Sequence, residues 1–190
     1  MRLRIVPLDP TLHDRGAFSC GNHRVDDYLR STAAQAAKYF KAATFVLLQT
    51  GAEQQICGFY TLLPHEYRDD DQFDDVMARA LRVQNLQRIP MVLLGQLGVA
   101  MDVQGKGLGA LLLKDALNRA LAVAQEVGGV AVITDPYDDR ARAFYSKYGF
   151  SVLHEQPFVR MILPMRTLAQ SIVKARAEAL ITRQGGKTKS

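Results

Sequence analysis

The sequence predicts a mixed α/β (α+β) fold, with strands in runs and helices between them. Three observations carry this. Residues 91–101 form a long apolar, strand-like run. Residues 108–127 follow as a strongly amphipathic helix. The composition, 48% hydrophobic and 23% charged over 190 residues, is that of a globular chain with enough apolar material for a core. That length suits one domain with an appendage. The expected division is residues 1–165 as the domain and 166–190 as a basic helix and tail.

The elements follow in order. Residues 4–8 read as a strand. Phe18-Ser19-Cys20-Gly21-Asn22 is turn-like, and Asn22 is placed to cap a helix running to about residue 40. That helix puts Val25, Leu29, Ala33, Ala36 and Ala37 on one face. Residues 44–49 and 56–63 are strands joined by the loop Thr50-Gly51-Ala52-Glu53. Residues 64–90 are expected to be a polar, acidic connection with a weak helical patch at 76–86. In the helix 108–127, Leu108, Leu111, Leu112, Leu117, Ala120, Leu121 and Ala124 follow helical spacing, and Gly128-Gly129 stops it. Residues 130–134 make a buried-type strand. Asp138 or Asp139 caps a short helix ending at Tyr148, with Gly149 as terminator. Residues 150–153 and 159–163 close the sheet. A terminal helix is expected at 168–181, and 184–190 are expected to be disordered.

Several classes are excluded. No apolar run approaches the length of a transmembrane helix, so no membrane partner is expected. The opening Met1-Arg2-Leu3-Arg4-Ile5 lacks the features of a signal peptide. Cys20 and Cys57 form no CxxC pair, which fits reduced thiols in a cytoplasmic protein. No metal is expected. The net charge of +5 is unevenly placed. Residues 166–190 carry six Lys/Arg and one acid, whereas residues 1–165 carry 18 of each sign. The acids Glu66, Asp69, Asp70, Asp71, Asp74 and Asp75 form a run. A polyanionic partner and a merely solvated tail both fit this pattern.

Gly105, Gly107 and Gly109 sit at alternate positions between the long strand and the strong helix. Glycine permits positive φ and close backbone approach. The first-turn N–H groups of a helix lack internal partners and sit at the positive end of its dipole. Together these make a phosphate cradle. The spacing is not G-x-G-x-x-G, and position 129 is Gly where an acidic partner would stand. Nor is it the nucleoside-triphosphate loop. Gly186-Lys187-Thr188 imitates that loop's end, but Ile181 stands where its first glycine belongs.

Gln104-x-x-Gly107-x-Gly109, after Leu97-Gly98-Val99, resembles the acetyl-CoA pyrophosphate loop of the GNAT acetyltransferase superfamily. Ala141-Arg142-Ala143-Phe144-Tyr145-Ser146-Lys147-Tyr148-Gly149-Phe150 resembles that superfamily's A-x-x-F-Y-x-x-x-G-F segment. The resemblance implies the GNAT fold, a mostly antiparallel sheet splayed between two strands and flanked by helices. It implies acetyl-CoA as cosubstrate, held by Leu97, Gly98, Val99, Gln104, Gly105, Lys106, Gly107, Leu108, Gly109 and Phe144. Strand Leu97-Gly98-Val99 would bond the pantetheine arm at the splay. Tyr145 would be the catalytic proton donor to the departing thiolate, since a phenol near pKa 10 is only modestly weaker an acid than a thiol near about 8.5.

A general base is harder to place. The long strand carries no carboxylate. Asp135, Glu66 and His65 remain candidates, and each also has a plain structural reading. A lysine amine is only roughly 0.04% neutral at pH 7, an α-amine roughly 10–20%. A site without a base therefore fits an α-amine better.

The front of the chain resembles one branch of the superfamily. Phe18-Ser19-Cys20-Gly21-Asn22 and Val25-Asp26-Asp27-Tyr28-Leu29 are similar to the F-x-C-G…L-D-x-Y-L opening of the GNAT toxins of bacterial toxin–antitoxin pairs. Ile56-Cys57-Gly58-Phe59-Tyr60-Thr61-Leu62 and Leu94-Gly95-Gln96-Leu97-Gly98-Val99 resemble two of its strands, with Gln96 where an arginine is usual. This implies acetylation of the α-amine of aminoacyl-tRNA, a homodimer, and a ribbon-helix-helix antitoxin as partner. A small-molecule amine or a protein N-terminus is the alternative acceptor. A fold that binds CoA or a partner without turnover is a further alternative.

Overall fold

The computed structural model describes residues 2–68, 75–84 and 86–185. It contains a seven-stranded sheet in the order β1-β2-β3-β4-β5-β7-β6. The strands are β1 (Leu3–Pro7), β2 (Ala43–Gln49), β3 (Ala52–Arg68), β4 (Arg88–Val99), β5 (Ala131–Thr134), β6 (Ser151–His154) and β7 (Arg160–Pro164). The helices are α1 (His23–Asp27), α2 (Ala33–Lys38), α3 (Asp75–Leu81), α4 (Leu108–Val127), α5 (Asp139–Lys147) and α6 (Met165–Gly185). β4 and β5 pair in parallel, and every other strand pair is antiparallel.

Asn22 caps α1, its side chain accepting from the N–H groups of Arg24 and Val25. The expected single helix is interrupted by a π-turn at Tyr28–Thr32. The spacing explains this. Val25, Leu29 and Ala33 recur at strict four-residue steps, which drift around a 3.6-residue helix. One wider turn keeps all three buried.

Two strands run through the segment expected to be a connection. β3 continues past Pro64 to Arg68, and β4 begins at Arg88. Pro64 lies opposite Val92 and Pro90 opposite Glu66. β2 stops pairing with β3 at Leu62, and β5 pairs with β4 only from Val92. Both prolines therefore sit where one edge carries no ladder, and a missing N–H is tolerated there. The helical patch shortens to α3, which closes at Leu81 before Arg82 with φ +59°. Of the acidic run, Asp69, Asp70, Asp71 and Asp74 lie outside the described residues. α6 starts at Met165 rather than 168, and Met165 and Leu168 belong to the main core. Residues 186–190 of the expected disordered end lie outside the described residues.

The sheet carries different layers on its two faces. α4 covers one face, its Leu108, Leu112, Leu113, Ala116, Leu117 and Ala120 packing with Tyr60, Leu94, Val132 and Met161. α1 and α2 cover Val46, Leu48, Ile56 and Phe59, while α3 lies by a cluster of Tyr67, Ile89, Met91 and Ile133. Gly58 is a point of close contact with α4. A Cβ there would lie 2.8 Å from Leu112 Cδ1 and 2.9 Å from the Gly98 carbonyl.

One local feature positions the cleft between β4 and β5. Thr61 lies opposite Gln96 and Leu62 opposite Leu94, so Gly95 is an extra residue bulged out of β4. β5 pairs with β4 only from Val92 to Leu94. Beyond the bulge, β4 continues to Val99 with β3 alone. The sheet thus splays between β4 and β5.

Candidate active site

The splay opens into a cleft of about 460 Å³. Leu97, Gly98 and Val99 form its wall on β4. Gln104, Gly105, Gly107, Leu108 and Gly109 form the end at α4, and Ala141, Phe144, Tyr145 and Tyr148 come from α5. Cys20, Asn22 and Val25 close the side at α1. Every residue implied to hold the cosubstrate lines this cleft except Lys106. Its side chain is turned toward the Asp102 carbonyl, 3.5 Å away.

The turn before α4 is built by glycine geometry. Gly105 and Gly107 have φ of +77° and +78°, and a Cβ at either would meet nothing within 4 Å. The demand is on backbone conformation, not on space. Gly107 is the cap of α4 and supplies no side chain, so no capping group occupies the first-turn N–H groups. They face the cleft at the positive end of a 20-residue helix. Arg140 and Lys147 add cationic side chains along the lining.

Gln104 has a second task. Its Nε2 donates to the carbonyls of Cys20 (2.9 Å) and Val99 (3.0 Å). This ties the front segment to the end of β4. Asp26 completes the tie, accepting from the Cys20 N–H (2.8 Å) and the Ser19 hydroxyl (2.9 Å). Burial pushes the Asp26 carboxyl up, but these bonds and Arg30 hold it below its usual range. The Phe18–Leu29 motif is thus a lock that sets one wall of the cleft. Burial, seconded by Asp26, pushes the Cys20 thiol up to about 11, so it stays protonated.

Tyr145 is buried, with its ring between Phe144 (5.3 Å) and Phe150 (5.5 Å). Burial pushes its phenol up to about 12, opposed by a hydrogen bond with Thr134. The Thr134 hydroxyl itself donates to the Leu94 carbonyl at the mouth of the splay. Tyr145 is therefore neutral at physiological pH. Full transfer to a thiolate near 8.5 is uphill by about 5 kcal/mol, more than an ordinary phenol would require.

None of the three base candidates is poised for the work. Arg160 holds both carboxylate oxygens of Asp135, Nε to Oδ1 at 2.6 Å and Nη2 to Oδ2 at 2.7 Å. Arg160 Nη1 donates to His65 Nε2 at 3.2 Å, since a guanidinium only donates. Glu66 is exposed and lies 3.7 Å from Arg88. The one carboxylate lining the cleft among the described residues, Asp138, caps α5 by accepting from the Ala141 N–H at 2.7 Å.

Sequence reasoning missed the lock at Asp26, the clamp at Arg160, and a hydrogen bond from Tyr137 to Gln96 across the splay. Only the first left a signal, a short turn followed by paired acids.

A splayed sheet with a glycine turn and an open helix N-terminus at one end and a buried phenol by the opening is the arrangement expected of an acyl-CoA-dependent acyltransferase. Residues 41–152 match the Acetyltransferase (GNAT) domain. The chain is 32% identical to a probable toxin TacT of Sinorhizobium fredii over 86% of its own length and 92% of that protein's. It is also 32% identical to a tRNA-acetylating toxin of Mycobacterium tuberculosis, over 79% and 86%. Among solved structures, AtaT complexed with acetyl-methionyl-tRNAfMet superposes with a TM-score of 0.78 at 22% identity, covering 90% of this chain and 99% of that one. A mutant AtaT toxin bound to the C-terminus of the antitoxin AtaR and to acetyl-CoA gives 0.74 at 22%, covering 90% and 98%. The chain belongs to the GNAT acetyltransferase family and is an acyl-CoA-dependent N-acetyltransferase.

Proposed function

We propose that the chain transfers the acetyl group of acetyl-CoA to the α-amine of aminoacyl-tRNA, as the toxin of a toxin–antitoxin pair. The observation that carries this is a cleft whose one carboxylate among the described residues is committed to a helix cap. An amine that must lose its proton unaided has to be a weak base, and α-amines are. One relative is named a tRNA-acetylating toxin, which supports a tRNA-borne acceptor, and both are named toxins, which supports that biological role.

Leu97, Gly98 and Val99 hold the pantetheine arm through backbone groups that β5 leaves free. The N–H groups of Gly105, Lys106, Gly107, Leu108 and Gly109 hold the pyrophosphate, with Gln104 fixing the turn and Phe144 packing against the ligand. The neutral amine attacks the thioester carbon. As the C–S bond breaks, the Tyr145 hydroxyl gives its proton to the sulfur, the amine's extra proton leaves to water, and the Tyr145 phenolate takes a proton back from water. The chain acts in the cytoplasm as a homodimer and is neutralised by a ribbon-helix-helix antitoxin.

The test is mass spectrometry of aminoacyl-tRNA after incubation with the protein and acetyl-CoA. An N-acetylated aminoacyl product is expected. Its absence from every aminoacyl-tRNA removes the acceptor. Expression should arrest growth, and Tyr145→Phe should relieve the arrest while lowering kcat by about 10²–10³-fold.

A further inference from the structure

The splay is bridged at its inner end. Gln96 follows the bulge at Gly95 and precedes Gly98 by two residues. A Cβ on Gly98 would meet Val25 and Phe59, so that face of β4 looks toward α1 rather than α4. Gln96 shares it. Its neighbour Leu97 lines the cleft. Gln96 therefore stands where β4 has just lost β5, next to the cleft wall formed by Leu97, Gly98 and Val99. Across the opening, Tyr137, in the turn between β5 and α5, donates its hydroxyl to Gln96 Oε1 at 2.6 Å.

A primary amide has one acceptor oxygen and two donor hydrogens. With Oε1 held by Tyr137, the two Nε2 hydrogens have a set direction and no partner among the described residues. An α-amino ester or amide has a carbonyl oxygen one carbon away from its amine. A simple alkylamine has none.

We propose that Gln96, oriented by Tyr137, determines acceptor specificity by donating from Nε2 to the carbonyl oxygen beside the reacting α-amine. The site then takes α-amino esters and amides in preference to amines without a carbonyl. This rests on the acyltransferase reading above and deepens it. The bridge is neutral, so it selects by geometry and not by charge. An acceptor lacking the carbonyl leaves the amide's donors unpaired once water is expelled, which is how a hydrogen-bonding site rejects an incomplete substrate. Tyr137 is a positioning residue, acting through Gln96.

The experiment compares amino-acid methyl esters with the decarboxylated amines of the same side chains, using the full chain and acetyl-CoA. Rates are referred to the neutral fraction of each amine. The wild type is expected to prefer the esters by about tenfold or more in kcat/KM. Gln96→Glu keeps the oxygen that Tyr137 binds and removes both donors, and it should cut that preference by about tenfold. Tyr137→Phe should cut it by a smaller factor, through KM for the ester and not through kcat. Both side chains are partly exposed, so both variants are expected to melt with the wild type. Equal losses on both acceptor classes, or a gain on esters in Gln96→Glu, overturns the proposal while leaving the acyltransferase reading intact. Failure of the wild type to acetylate any ester, amine or aminoacyl-tRNA sinks both.

Discussion

Asp26 illustrates what a single residue does for this cleft. It is only 3% exposed, yet it is ionised because Cys20 and Ser19 donate to it. Asp26→Ala strands both donors in a buried place, at a cost of about 2–3 kcal/mol in a denaturant titration at pH 7. The sign of the pH effect follows from the depressed carboxyl. Its contribution is complete above the ordinary value of 3.8 and is lost as pH falls through the lower folded-state value. The gap between wild type and Asp26→Ala should therefore be constant from pH 5 to 8 and narrow only in acid. A gap that widens on acidification would contradict this account. The position of Tyr145 in the helix after β5 was legible from the Phe144-Tyr145 segment, but its acidity was not. The sequence-based expectation assumed an ordinary phenol, whereas burial between Phe144 and Phe150 makes it a weaker acid.

At the scale of elements, α4 is the piece on which the glycine turn and the core both depend. Its apolar stripe was readable from helical spacing. What was not readable is how tightly it sits on β3. Gly58 leaves no space for a methyl group between Leu112 and the backbone of β4. Gly58→Ala should destabilise the fold by about 1–3 kcal/mol. It should also raise KM for acetyl-CoA, because α4 must retreat from the strand that lines the cleft. Thermal melting and acetyl-CoA titration read the two effects, and an unchanged melting point would show that the helix has slack. The long β3–β4 pair was obscured by Pro64 and Pro90, which argue against strands unless one knows that no second ladder runs along them there. The bulge at Gly95 had a faint signal, a glycine inside an apolar strand.

For the whole molecule, the positive excess of the full sequence lies in its last 25 residues. If the acceptor is a nucleic acid, its backbone must be neutralised by cations, and that attraction weakens with salt. KM for aminoacyl-tRNA is expected to rise about tenfold or more between 50 and 200 mM salt. KM for an amino-acid ester should scarcely change. Steady-state kinetics at several ionic strengths decides it, and parallel behaviour of the two acceptors would count against a polyanionic substrate. No described helix is long and apolar enough to cross a membrane.

The sequence alone determined the order of strands and helices, the glycine turn before α4 and the tyrosine that follows Phe144. These are local matters, set by periodicity, by backbone freedom at glycine and by motif spacing. Only the tertiary structure decided that Asp135 and His65 are occupied by Arg160, that Asp26 locks one wall of the cleft, and that Tyr137 reaches Gln96. Each of these joins residues from different elements. Their distances depend on where β4 parts from β5, and that is fixed by the packing of the whole sheet against α4.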